Sequence, residues 1–188
     1  MANIKPLRSY SEHDVVNMYA FSGVISTTAG AKVSKGLCVA ITGDGFTNTA
    51  DEIEMIGSPG ASYQGTVSQR YGVKAKVALC AKGVTPLGLL LNDVAEVDEN
   101  GELLKFNPRK AAEMLCAISG QAVPVLTRGI VLYNGDLTAG ALLANTVVYA
   151  TGAGELASHP GTASENVRVG KTLGAKDSDG YVLLKIEL

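Results

Sequence analysis

Residues 73–81 read VKAKVALCA, and in the first half of this stretch apolar side chains alternate with Lys74 and Lys76. A period of two residues is typical of a β-strand that has one face in a core and one face in water. The stretch ends at Lys82-Gly83, which predicts a turn, and a further strand is predicted over 86–91. The pattern around this segment therefore favours β-structure.

Short apolar runs recur on both sides of this segment. Before it, strands are predicted over 14–21 and 33–42, and a short one over 52–56 within a long polar stretch. After it, strands are predicted over 122–126, 129–133, 146–150, 167–173 and 181–188. Glycine-rich turns separate these runs. Gly makes up 22 of the 188 residues and shows no collagen-like period, so we assign the glycines to turns. We predict a mainly β fold, a small barrel or sandwich with Gly-rich turns.

One helix is predicted, over about 108–119. Asn107 can cap its first turn, Pro108 suits its first position, and Gly120 suits a left-handed residue after its end. Apolar residues follow the helical spacing i, i+3, i+4, i+7, at Ala111, Met114, Leu115 and Ile118.

The chain is predicted to form a single domain with an N-terminal extension. Residues 1–29 comprise an extended arm and the first strand, and residues 30–188 form a β-rich domain with a helix-bearing insertion at 92–120. Residues 1–13 are polar and contain Pro6, so we expect the arm to be mobile alone and to order against a partner.

Composition limits the classes of function. The net charge is -2 and 18% of residues are charged, which argues against nucleic acid as a direct partner. No apolar run approaches the roughly 18 residues of a membrane span, and the N-terminus lacks the apolar run of a signal peptide. Cys38, Cys80 and Cys116 form no C-x-x-C pair, which predicts buried thiols in a reducing cytoplasm.

Two glycine motifs resemble phosphate-binding sequences. Gly152-x-Gly154 follows an apolar run, but His159-Pro160 comes too soon for the helix that a dinucleotide site requires, so a turn is predicted. Gly170-Lys171-Thr172 lies within a predicted strand instead of opening a helix. Neither motif predicts a cofactor site.

Catalytic and metal-binding residues are also sparse. His13 and His159 lack a Cys, His or carboxylate at metal-ligand spacing, and no G-x-S-x-G motif is present. The acidic residues between positions 93 and 102 do not follow the spacing of a calcium loop, so we predict a solvated hairpin tip there. We therefore assign no catalytic, cofactor-binding or metal-binding residue. The acidic residues are Asp93, Glu96, Asp98, Glu99 and Glu102.

Four segments carry a family resemblance. They are 33–40 (VSKGLCVA), 72–79 (GVKAKVAL), 118–131 (ISGQAVPVLTRGIV) and 167–186, which begins VRVGKTL and ends DGYVLLKI. In these segments the chain resembles the small β-rich decoration (cement) proteins of tailed-bacteriophage capsids.

The resemblance implies a structural virion protein without an active site, which binds the outside of an assembled capsid and stabilises it. As partners it implies the major capsid protein and neighbouring copies of this chain, with a trimer as the expected oligomer, and it implies assembly in the bacterial cytoplasm. Two alternatives remain open. One is a carbohydrate-binding domain of a phage head or tail fibre, although Trp is 0 and aromatic platforms are therefore scarce. The other is a small β-barrel enzyme with a scattered site.

Overall fold

The structure is a computed structural model that describes residues 4–6, 9–11, 13–22, 25–43, 45, 54–55, 71–72, 75–118, 120–135, 137, 143–158 and 167–188. Over these residues the fold is mainly β with one α-helix, which confirms the predicted fold class. The strands, in chain order, are β1 (Ile4–Pro6), β2 (Val15–Phe21), β3 (Cys38–Thr42), β4 (Glu54–Met55), β5 (Tyr71–Gly72), β6 (Lys76–Leu79), β7 (Gly88–Leu90), β8 (Asp93–Ala95), β9 (Cys116–Ile118), β10 (Ala122–Leu126), β11 (Arg128–Tyr133), β12 (Val147–Ala150), β13 (Leu156–Ala157), β14 (Arg168–Thr172) and β15 (Val182–Glu187).

Five strands form a closed barrel in the order β10-β2-β6-β3-β7. Neighbouring strands are antiparallel except β2 and β6, which run parallel and pair at Ala20 with Lys76 and at Phe21 with Val77. Closure leaves these strands without a free edge, which is the usual way for a small β-protein to avoid unwanted strand pairing.

Six strands form an antiparallel sheet in the order β1-β11-β15-β14-β12-β13. β15 has a period of two, since Val182, Leu184 and Ile186 are buried while Leu183 and Lys185 are partly exposed. The sheet therefore has an apolar inner face and an outer face in contact with water.

The inner face of this sheet packs on one side of the barrel. Cys38 and Ala40 join the cluster that contains the inner residues of the sheet, whereas Val39 between them faces the barrel interior with Val77 and Leu90. β3 is therefore apolar on both faces at this point, as a strand between two cores must be.

The α-helix, α1 (Pro108–Glu113), begins as predicted but ends earlier than predicted. The Asn107 side chain accepts a hydrogen bond from the Lys110 N–H, which confirms the cap. Leu115 has a φ of 52°, so the helix cannot continue through it, and residues 116–118 form β9 instead. The prediction that the helix extends to 119 is wrong, because the buried Ile118 belongs to strand β9.

β8 and β9 form a parallel pair that is connected through α1. We call residues 93–118 the lobe. Its apolar cluster is small, with Ala95, Leu104, Ala111 and Ile118 as the buried members. A β–α–β connection of this kind was not predicted, since the two strands are only three residues long.

The N-terminal arm differs from the expectation. β1 pairs with β11 of the same chain, Ile4 opposite Tyr133, and the Ile4 side chain is only 1% exposed. Tyr10 also reaches this domain, since its hydroxyl donates to the Ile130 carbonyl at 2.9 Å. The expectation of a mobile arm that orders on a partner is therefore wrong for residues 4–6, because burial of Ile4 stabilises them on their own sheet.

The other predicted strands appear with small shifts at their ends, most closely at β2, β10 and β11. The strand predicted over 33–42 is shorter, with Val33 in an isolated bridge to Val94. Within the polar stretch, β4 pairs with β5. The rest of the predicted 52–56 strand and residues 73–74, where the alternating pattern began, lie outside the described residues.

Candidate functional site

In the two motifs that resemble phosphate-binding sequences, the local backbone structure explains why glycine is present. Gly154 lies in a short 3-10 turn with a φ of 74°, and a Cβ there would approach the Cys38 carbonyl oxygen to 2.6 Å. Gly170 lies in β14, where a Cβ would come within 2.1 Å of the Lys185 carbonyl oxygen. The predictions of a turn and a strand at these motifs are confirmed, and the glycines allow close backbone packing.

The thiols Cys38 and Cys80 lie together, which the sequence did not predict. They face each other at the end of the β3–β6 ladder, where the Cys80 N–H donates to the Cys38 carbonyl at 2.9 Å, and both are buried and reduced. The hydrogen bond with the Cys80 thiol, together with burial, raises the pKa of Cys38 well above its ordinary value. A protonated thiol is a poor nucleophile, so Cys38 acts here as a core residue.

Asp98 is buried, so the prediction of a solvated hairpin tip is wrong at this residue. Its Oδ1 accepts hydrogen bonds from the N–H groups of Asn100 and Glu102, each at 2.8 Å, and its Oδ2 pairs with the Lys110 ammonium. The Lys110 ammonium lowers the pKa of the Asp98 carboxyl, and the two N–H groups act in the same direction. The carboxylate thus ties the hairpin to α1, while neighbouring Glu99 remains exposed.

A cavity of about 240 Å³ lies beside the lobe. In its lining Asp93 forms an ion pair with Lys32 and also accepts a hydrogen bond from the Lys35 N–H at 2.8 Å, so both of its carboxylate oxygens have partners. Burial, followed by the charge of Asp93, raises the pKa of the Cys116 thiol in the same wall. The cavity is smaller than the roughly 300 Å³ at which ligand sites begin. It presents no activated nucleophile.

The two histidines are not brought into a described site. His13 is exposed in the turn before β2, and His159 lies outside the described residues. Within the described part of the chain, no group of three His, Cys, Asp or Glu side chains could hold a metal ion. Every buried side-chain N or O in that part also has a hydrogen-bond partner.

The outer face of the six-stranded sheet carries a cluster of cations that sequence analysis did not identify. Lys171 lies directly opposite Lys185, and Arg128 lies directly opposite Glu187. Arg168 joins this face because β14 has an irregularity at Val169, so that Val148 pairs with Gly170 but Tyr149 pairs with Arg168. An extra residue of this kind turns the next side chain to the other face.

Glu187 lies among these cations. It pairs with Lys185 and with Arg168, whose Nη2 is 3.3 Å from the Glu187 Oε2. The Lys185 hydrogen bond and the charges of Lys185, Lys171 and Arg168 lower the pKa of the Glu187 carboxyl. We call the four residues Arg128, Arg168, Lys171 and Lys185 the cationic cluster.

Only part of this cluster can be predicted from the sequence. The alternation in 182–187 (VLLKIE) places Lys185 and Glu187 on one face once the strand is recognised. The position of Arg168 depends on the bulge, and the Lys171–Lys185 pair depends on the strand register. Neither can be obtained from a single strand's pattern.

Comparison with known proteins finds no match. No family model, no curated protein and no solved structure matches this chain. Among the described residues, no helix has the length and apolar character that crossing a membrane requires. The candidate site is therefore defined by geometry alone, as the cationic cluster on the outer face of the six-stranded sheet.

Proposed function

We propose that this protein is a structural virion protein, a decoration (cement) protein that binds the outer surface of an assembled bacteriophage capsid and stabilises it. One observation supports this proposal above others. The segments that carry the sequence resemblance form strands β3, β6, β10, β11, β14 and β15 of the barrel and the sheet packed on it. This is the compact β-body that the resemblance implies.

The surface composition is also compatible with broad protein contact. Only 18% of residues are charged, and large apolar side chains are exposed at Phe106 (66%), Leu115 (70%) and Leu143 (63%). Aromatic side chains are enriched at protein interfaces, and the fully buried core of an interface is more apolar than the rest of the surface. In this function affinity is distributed over a surface, and no residue carries out catalysis.

The proposed partners are the major capsid protein and neighbouring copies of the same chain. Copies at threefold positions of a shell would form a cyclic trimer, since closed cyclic symmetry is the rule for homo-oligomers. Several interfaces of about 1,600 Å² each would give the multivalent attachment that a stabilising protein needs. The proposed location is the capsid exterior, after assembly in the bacterial cytoplasm, without direct contact with nucleic acid or membrane.

The test uses DNA-filled capsids prepared with and without this protein. We expect the protein to sediment with the capsids and to raise the temperature at which they release DNA. Re-addition of the purified protein to bare capsids should restore that temperature. Capsids that lack the protein and yet release DNA at the same temperature would overturn the proposal.

A further inference from the structure

We propose that the outer face of the six-stranded sheet, centred on the cationic cluster, binds a carboxylate-rich protein surface. This inference rests on the proposed function, because it assigns the part of this chain that contacts the shell. It adds the chemistry of the partner: a patch of Asp and Glu side chains on a folded protein.

The outer face of the six-stranded sheet carries a local excess of positive charge. The cationic cluster contains four positive side chains, and Glu187 is the one carboxylate placed among them by the described strands. The local side-chain charge is therefore +3 in a chain whose net charge is -2. Such separation of charge gives a surface that attracts anions although the whole molecule does not.

Two lysines of the cationic cluster repel each other in the isolated molecule. Lys171 and Lys185 are directly opposite each other on adjacent strands, and like charges in this position destabilise a sheet. Glu187 offsets part of the repulsion through its pair with Lys185. A carboxylate of the partner would offset the remaining repulsion between the two lysines. The bound state would therefore gain an interaction that the free protein lacks.

Apolar side chains beside the cationic cluster favour a protein surface over a polyphosphate as the partner. Ile130 and Leu132 on β11 and Leu183 on β15 lie on the same face, partly exposed, beside the cationic cluster. Apolar side chains beside charged groups provide the mixed contact area that is typical of protein interfaces. Nucleic-acid binding instead depends on neutralising many phosphates, which a chain of net charge -2 does not favour.

The cationic cluster stands on a continuous strand pair. β11 and β15 pair over six successive positions, from Arg128 with Glu187 to Tyr133 with Val182. The backbone under the cluster is therefore held before binding, which reduces the entropy lost on association. Side chains on such a platform recognise a partner of fixed shape, such as a folded protein shell.

The experiment reverses charge on this face in the full-length chain. Lys171→Glu with Lys185→Glu is compared with a matched control, Lys105→Glu with Arg109→Glu, which changes the net charge equally on the lobe. Far-UV circular dichroism and melting temperature report whether each variant folds. If the reversal variant does not fold, Lys171→Gln with Lys185→Gln replaces it.

Two probes are used, bare capsids and poly-L-glutamate, each at low and high salt, and duplex DNA of equal charge serves as the comparison polyanion. We expect the reversal variant to lose about tenfold or more in affinity for both probes, while the control stays within about twofold of wild type. Wild-type binding should also weaken at high salt.

The outcomes separate this inference from the proposed function. If wild type binds capsids and the reversal variant binds equally well, the function stands and the inference is overturned. If wild type does not bind capsids but binds poly-L-glutamate through this face, the inference stands and the proposed function fails. Tighter binding to duplex DNA of equal charge than to poly-L-glutamate would overturn a protein surface as the partner, and so would no binding to either probe.

Discussion

The lobe and the six-stranded sheet use charge in opposite ways. In the lobe, Asp98 is buried and its carboxylate joins two backbone N–H groups to Lys110, next to a cluster of only four buried apolar residues. In the sheet, the inner face is apolar and the cationic cluster lies outside it. Charge in the lobe therefore stabilises the fold, whereas charge on the sheet is available to a partner.

The largest expected effect comes from the inner face of the sheet. Leu184→Ala removes a side chain with no exposed surface and leaves a cavity, so we expect a loss of about 2–5 kcal/mol in the free energy of unfolding. Urea denaturation followed by circular dichroism measures it. Leu183→Ala, on the outer face of the same strand, should cost about 1 kcal/mol or less. Equal losses would show that the two faces are not distinct.

A smaller loss is expected from the lobe. Asp98→Ala leaves the N–H groups of Asn100 and Glu102 without their acceptor and Lys110 without its buried partner. We expect the melting temperature to fall by about 5 °C. Glu99→Ala is the control, because Glu99 also contacts Lys110 but is exposed. An unchanged melting temperature in the Asp98 variant would mean that apolar packing alone holds the lobe.

The same carboxylate predicts a dependence on pH. Since the pKa of Asp98 is lowered in the folded protein, its contribution to stability is complete above its ordinary value of 3.8. That contribution is lost as the pH falls through the lowered folded value. Asp98→Asn should therefore flatten the acid side of a plot of melting temperature against pH. A curve parallel to that of wild type would contradict this assignment.

The smallest effect is expected on the outer face of the sheet. Lys171→Ala removes the repulsion with Lys185 and also a favourable charge near Glu187, so stability should change by no more than about 0.5 kcal/mol. Thermal melts at low and high salt measure the repulsion with Lys185 and the attraction to Glu187. A loss above about 1 kcal/mol would show that Lys171 has a structural role like that of Asp98.

These regions also show what the sequence could predict. Alternating side chains and glycine turns located β10, β11, β14 and β15, because each has a buried inner face: β10 mainly in the barrel interior, and the other three in the core under the six-stranded sheet. The lobe was predicted less well, since helical spacing continued through Leu115 although its backbone is left-handed there. β1 has three residues, too few for a pattern, and its place depends on the pocket that Ile4 fills.

The cationic cluster could be predicted only in part. A strand pattern places Lys185 and Glu187 on one face, but contact between β14 and β15 is a property of the sheet order. No residue type in this segment indicates the bulge at Val169, which brings Arg168 to the same face. Surfaces built from several strands therefore emerge only when the register is known.

The positions of the first two strands have a consequence for the order of folding. β1 pairs with residues near 131–133 and most of β2 pairs with β10, so their partners are made more than 100 residues later. At about 5–20 residues per second, the interval during synthesis is on the order of ten seconds. Contacts so distant in sequence also form slowly in the complete chain. β1 and β2 are thus synthesised well before most of their pairing partners and are among the last strands to reach their native neighbours.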